Sequence, residues 1–150
     1  MSIRLAVVHG PNLNLLGQRE PSVYGRMTLA ELNTWLLGHA DALGVVLEVV
    51  QSNHEGVLVD WIQQTGPGVD GFVVNAAGLT HTSVVLRDAL LATSRPFVEV
   101  HLSNVWARES FRHVSLLADR AVGVASGLGR WSYLAGLQAL ADRVRGDAGG

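Results

Sequence analysis

The sequence contains no cysteine. Disulfides, thiolate nucleophiles and thiolate metal sites are therefore excluded. It contains no lysine either; all eleven basic side chains are arginine. Schiff-base chemistry, pyridoxal phosphate attachment and the lysine of a phosphate-binding P-loop all need that amine and are excluded with it. A compositional drift from Lys to Arg accounts for the same count, and the two readings are compatible, because a required Lys survives such drift. Charge is sparse, at 16% of residues, and thirteen acidic groups against eleven basic ones leave a net charge of −2. No basic stripe or charge block stands out, so nucleic acid has no electrostatic footprint here. No apolar run reaches the ~18 residues of a membrane span. The opening Met1-Ser-Ile-Arg4 does not read as a signal peptide. The expectation is a cytoplasmic protein without a nucleic-acid or membrane partner.

What is present is an apolar chain of 150 residues, 48% hydrophobic. That length suits one domain over residues 1–150, with a core large enough to need no staples. The low charge suggests that part of the surface is covered by other subunits.

Ile3–His9 is a short apolar run that predicts a buried strand. Gly10–Arg26 is a long connection punctuated by Gly and Pro, and a connection that long is usually functional; residues 17–26 read as a lid. Thr28-Leu-Ala-Glu31 is a capping box opening a helix that Gly44 closes, with Leu29, Leu32, Leu36, Ala40 and Leu43 on one face. Val45–Val50 predicts a second strand, and Ser52-Asn-His-Glu55 a second capping box with a helix through about Gln64. Gly71–Asn75, Phe97–His101 and Ala121–Ala125 predict three more strands. A helix from Thr80 to about Thr93 lies between the first two of these, and an irregular segment, Leu102–Ser115, follows the second. After Gly127 and Gly129 a last helix shows Trp131, Leu134, Leu137, Ala141 and Val144 on one face, and residues 147–150 read as a frayed, flexible tail. Strands that are continuously apolar and alternate with helices indicate a parallel sheet covered on both faces. The predicted fold class is α/β: a flavodoxin-like, doubly wound, five-stranded parallel sheet.

Such sheets bind ligands outside the carboxyl ends of their strands. Those ends carry His9, Asn12 and Asn14; Gln51, Ser52, Asn53 and His54; Asn75; and Glu99, His101, Ser103 and Asn104. Amides and imidazoles converging on one rim predict a small-molecule site. His81 and Asp88, seven residues apart, are expected to share a face of the third helix. On the first loop, Tyr24 lies near Arg19. An ordinary phenol keeps its proton at neutral pH, and a nearby guanidinium favours the anion, so the pair is a candidate general base on a closing lid. Glu99 and His101, two apart on a strand, share a face; the carboxylate orients the imidazole and suits it to act as an acid.

Several segments taken together resemble the type II 3-dehydroquinate dehydratases. They are His9-Gly-Pro-Asn-Leu-Asn-Leu-Leu-Gly-Gln-Arg-Glu-Pro-Ser-Val-Tyr-Gly25, Gln51-Ser-Asn-His-Glu-Gly56, Asn75-Ala-Ala-Gly-Leu-Thr-His-Thr-Ser83, Glu99-Val-His-Leu-Ser-Asn104, Arg108-Glu-Ser-Phe-Arg112 and Gly127-Leu-Gly129. The resemblance implies a hydro-lyase taking 3-dehydroquinate to 3-dehydroshikimate by anti elimination through an enolate, without cofactor or metal. It implies Tyr24 as proton acceptor, Arg19 as stabiliser of the developing charge, Asn12 as holder of a water on the enolate oxygen, and His101 as proton donor oriented by Glu99. Asn75, Leu102 and Ser103 would hold the substrate carboxylate and a nearby hydroxyl, and His81 and Arg112 ring hydroxyls. Asp88 would reach a neighbouring subunit's site within a homododecamer of four trimers. The role could lie in aromatic biosynthesis or in quinate breakdown. Against the family's usual pattern stand His9, Trp106, Val114 and Ala118–Arg120, none of them among the residues proposed for chemistry.

Three rivals remain open on the residues alone. A flavin or nucleotide module needs Ser, Thr and Gly after the first strand, where Pro11, Asn12, Leu13 and Asn14 stand. A metal site from His9, His54, His81 and His101 has no ligand spacing to support it. A non-catalytic assembly protein has no use for Arg19, Tyr24 and His101.

Overall fold

The computed structural model describes residues 2–146; the tail expected at 147–150 lies outside the described residues. Five strands, β1 (Ile3–His9), β2 (Val45–Gln51), β3 (Gly71–Asn75), β4 (Phe97–His101) and β5 (Gly123–Ser126), form one sheet. All four pairings are parallel, in the order β2-β1-β3-β4-β5. This is the flavodoxin-like order expected from the strand pattern.

Alternation along the strands divides the core in two. Leu5, Val7, Val73, Val98 and Val100 face one way, against Leu32 and Leu36 of α2 (Leu29–Ala42) and Tyr133, Leu137 and Leu140 of α5 (Arg130–Val144). Ala6, Val8, Phe72 and Val74 face the other way. They meet Leu58 and Ile62 of α3 (Glu55–Thr65) and Leu86 and Leu90 of α4 (Val84–Ala92). A strand whose neighbouring residues point into two different cores must be apolar throughout, which is why these runs show no alternation. A fifth, four-residue helix, Pro21–Tyr24, interrupts the first loop; it is labelled α1 here.

Strand order reverses between β1 and β3, so a crevice opens above their carboxyl ends. The backbones meet closely there. Gly10 N–H donates to Asn75 O at 2.7 Å, and a Cβ on Gly10 would lie 2.3 Å from Ala76 O.

Several element boundaries differ from the sequence reading. Thr28 does cap α2, its Oγ1 accepting from Glu31 N–H at 3.1 Å. Ser52 caps nothing: its Oγ takes the His54 N–H at 2.9 Å in a local turn, and α3 starts only at Glu55. The third helix starts at Val84, with Ser83 Oγ accepting from Leu86 N–H at 3.0 Å. His81 belongs to a preceding 3₁₀ turn, Ala77–His81, and shares no helix face with Asp88. On α5 the buried stripe is Ser132, Tyr133, Gly136, Leu137, Leu140 and Ala141, while Trp131 is exposed. Gly136 faces the sheet because a Cβ there would already sit 3.1–3.4 Å from Val73, Val98 and Val100; an apolar count overlooks a glycine and a serine used for close packing. β5 begins two residues later than expected.

Candidate active site

A cavity of about 150 Å³ lies above the ends of β1, β3 and β4. Asn12, Arg19, Tyr24, Asn75, His81, His101, Leu102, Ser103 and Arg112 all line it, together with Arg108. Nine residues singled out in the sequence therefore share one wall. Glu99 lies directly behind His101, buried on the same strand. Asp88 does not line the cavity; it is exposed on α4. Asn14 and His54 also lie outside it, as do Gln51, Ser52 and Asn53.

Each wall residue is held by local structure. Asn12 adopts a left-handed conformation, φ 70°, and its N–H donates to Asn53 Oδ1 at 2.9 Å. Gln51 Nε2 donates to Gly10 O at 3.2 Å and to Asn53 Oδ1 at 3.2 Å. The amides ending β2 thus brace the first loop and are not themselves in the cavity. His81 pairs through Nδ1 with Val114 O at 2.7 Å. Since a carbonyl can only accept, that nitrogen carries the proton and Nε2 is left for a ligand.

His101 Nε2 donates to Glu99 Oε2 at 2.7 Å, both side chains buried. That leaves Nδ1 as the ring nitrogen free to meet a substrate. Glu99 Oε1 accepts from Ser115 Oγ at 2.5 Å. The Leu117 and Ala118 N–H groups donate to Ser115 Oγ at 3.1 and 3.0 Å, taking up its two lone pairs and aiming its hydrogen at the carboxylate.

Tyr24 ends α1. The guanidinium carbon of Arg19 lies 4.5 Å from its ring centroid and that of Arg108 5.2 Å. A phenolate spreads negative charge into its ring, so cations over the ring attract it more strongly than the neutral phenol. The same ring forms a wall of an apolar crevice of about 280 Å³, lined also by Leu16, Met27, Leu32, Leu102 and Gly129. Three guanidiniums line the polar cavity and, among the described residues, no carboxylate does. Arg108 and Arg112 also pair with the Glu109 carboxylate outside the cavity, at 3.8 and 3.2 Å, and the remaining excess of positive charge favours a small anion. Gly129 N–H donates to Leu102 O at 3.0 Å and Ser126 Oγ to Ser103 O at 3.1 Å, fixing the Leu102–Ser103 backbone at the rim. No group of three or more His, Asp or Glu among the described residues is arranged to hold a metal ion.

Residues 3–141 match the protein family described as dehydroquinase class II. The chain belongs to that family. It is 55% identical, over 95% of its length and 98% of the relative's, to a 3-dehydroquinate dehydratase of Parasynechococcus marenigrum. A 3-dehydroquinate dehydratase of Bordetella avium is 58% identical over 92% of this chain and 96% of that one. A type II dehydroquinase of Propionibacterium acnes superposes with a TM-score of 0.90 at 38% identity, covering 94% of this chain and 97% of that one.

Two residues of this class II dehydroquinase site had no assigned role in the sequence reading. In the sequence Arg108 stands only within a motif, and Ser115 only at the end of the irregular segment Leu102–Ser115. Neither has a local signal, since each matters through a partner far away in sequence. The departures from the family pattern lie outside the cavity. Val114 is 61% exposed and contributes its carbonyl to His81. Trp106 is exposed and meets His113 with the rings tilted by 44°, centroids 5.2 Å apart. Asp119 forms a two-point ion pair with Arg87, which ties the segment before β5 to α4. This pairing raises the Arg87 pKa and lowers that of Asp119.

Proposed function

We propose that this class II dehydroquinase is a hydro-lyase that dehydrates 3-dehydroquinate to 3-dehydroshikimate. The observation that carries the reading is the convergence of Tyr24, with two guanidiniums over its ring, and the Glu99–His101 pair on one cationic cavity. The Tyr24 phenolate takes the proton alpha to the ketone. The electron pair moves to the ketone oxygen, giving an enolate that a water held by Asn12 stabilises. Collapse of the enolate expels the hydroxyl, which takes a proton from His101 Nδ1 and leaves as water. Base and acid act from separate elements, the lid and the end of β4, which suits an anti elimination. Arg19 and Arg108 stabilise the charge that Tyr24 must carry between turnovers, and Glu99 stabilises the imidazolium. Asn75 with the Leu102–Ser103 backbone binds the carboxylate, and His81 and Arg112 bind ring hydroxyls. The steps balance without a metal or a redox cofactor.

We place the chain in a homododecamer of four trimers, in which Asp88 enters a neighbour's cavity. Exposed apolar side chains support an assembly: Val84 and Val85 stand beside Asp88 on α4, 57% and 50% exposed. Residues 1–150 act as one catalytic domain with residues 17–26 as lid. No helix among the described residues is long and apolar enough to cross a membrane, and the proposed location is the cytoplasm. The test is direct. Purified protein converts 3-dehydroquinate with a rise in enone absorbance, and Tyr24→Phe lowers kcat by about 10³-fold or more. Full turnover by that variant removes Tyr24 from the mechanism.

A further inference from the structure

His9 and Tyr133 are fully buried, and the elimination uses neither. They are nevertheless joined to the cavity by an unbroken chain of polar contacts. His9 Nε2 pairs with Asn33 Oδ1 at 2.8 Å and His9 Nδ1 with the Tyr133 hydroxyl at 2.9 Å. Asn75 Nδ2 donates to the Tyr133 oxygen at 2.9 Å, and Asn75 Oδ1 accepts from Ala77 N–H at 3.1 Å. The four side chains come from α2, β1, α5 and β3, so this is a tertiary arrangement and not a local turn.

The direction of every bond follows from one end. A backbone N–H can only donate, so the group of Asn75 facing Ala77 is the oxygen. The amide nitrogen then faces Tyr133, whose oxygen must accept. The phenolic hydrogen is left to go to His9 Nδ1, which must be the bare nitrogen. The proton of the ring therefore sits on Nε2, and Asn33 presents its oxygen to it. Burial keeps both titratable members in the required form: it pushes His9 down to about 4, against the opposing bond to Asn33, and pushes the Tyr133 hydroxyl up. A neutral His9 can accept, and a protonated Tyr133 can donate.

We propose that His9 and Tyr133 are positioning residues which lock the Asn75 amide with its second N–H turned into the cavity, where it meets the substrate carboxylate. One N–H of the amide is spent on Tyr133, and Ala77 holds the oxygen, so the amide cannot flip and present an acceptor to an anion. An Asn on a cavity rim without such support can turn either way, and half of its orientations repel a carboxylate. His9 provides the acceptor that orients the phenol. This inference rests on the dehydratase reading for the identity of the anion.

The test compares Tyr133→Phe, Asn75→Ala and the double variant on 3-dehydroquinate. Tyr133→Phe keeps the ring and removes the oxygen. It is expected to raise KM about tenfold with kcat within about twofold, the size of one lost hydrogen bond to a charged group. In the Asn75→Ala background the same change is expected to raise KM no further. Equal rises in both backgrounds, or no rise in either, overturn the proposal, since a merely structural Tyr133 would act independently of Asn75. Should Tyr133→Phe not fold, His9→Leu removes the acceptor of the phenolic hydrogen and carries the same comparison. A measurement without substrate separates the two readings. Nitrogen-15 shifts of the wild-type imidazoles are expected to show His9 protonated on Nε2. Protonation on Nδ1 overturns the relay whatever the enzyme does. A correct tautomer in a chain that leaves 3-dehydroquinate untouched instead overturns the assigned anion and the dehydratase reading with it.

Discussion

A phenol, two imidazoles and three guanidiniums line the cavity, and the buried imidazole of His9 behind it answers to pH in its own way. His9 is held near 4 by burial, against 6.5 for a free histidine. Between those values the unfolded chain binds a proton that the folded chain refuses, so the His9 contribution to stability falls as pH drops from about 6.5 and levels off below about 4. The full loss is about 3 kcal/mol. Urea unfolding at pH 7 and pH 4.5 is expected to show most of it in the wild type. His9→Asn, which has no such group, is expected to lose correspondingly less over the same interval. Parallel slopes for the two proteins would remove His9 from the acid limb.

The elements divide between those legible from pattern and those set by packing. The five strands and four main helices could be read from the sequence because each carries a long periodic or continuous apolar signal. Thr28 to Glu31 capped α2 as its spacing predicted. Ser52 did not cap α3, since a turn to His54 competed for the same oxygen. On α5 the apolar spacing finds Leu137 and Ala141 in the core but not Gly136 and Ser132, which pack closely without being apolar. The site was legible where family motifs carried it: Asn12, Arg19, Tyr24, Asn75, His81, His101 and Arg112 do meet. Arg108 and Ser115 were not, because their partners Tyr24 and Glu99 are remote in sequence. The connection after β4 thus braces the Glu99–His101 pair as well as lining the cavity. Ser115→Ala is expected to lower kcat about tenfold through the lost bond to a charged carboxylate, with KM within about twofold. Steady-state kinetics on a variant of unchanged melting temperature check this, and an altered KM alone would contradict it.

For the whole molecule, the position of Asp88 matters most. It is exposed beside Val84 and Val85 on α4 and outside its own chain's cavity. If it serves a neighbour, two defective chains can complete one site. Co-expressed Asp88→Ala and Tyr24→Phe chains, each of low activity alone, are expected to recover up to about a quarter of wild-type activity when randomly mixed in a closed ring. No recovery on mixing would confine each site to one chain.

The guanidiniums that line the cavity have a further effect before any bond is broken. The chain as a whole is slightly negative, at −2, yet Arg19, Arg108 and Arg112 line one cleft and outnumber Glu109, the carboxylate paired with the last two, leaving an excess of positive charge there. Field lines focus there, so an incoming carboxylate is drawn to the right face of a protein that otherwise repels it. Salt shortens the reach of that attraction to about 8 Å at physiological strength. The capture rate, read as kcat/KM, is expected to fall with added sodium chloride more steeply than kcat, and equal sensitivity of the two would locate the salt effect after capture. Because an arginine does not titrate in the accessible range, the cationic side of this attraction persists at every pH at which the fold survives.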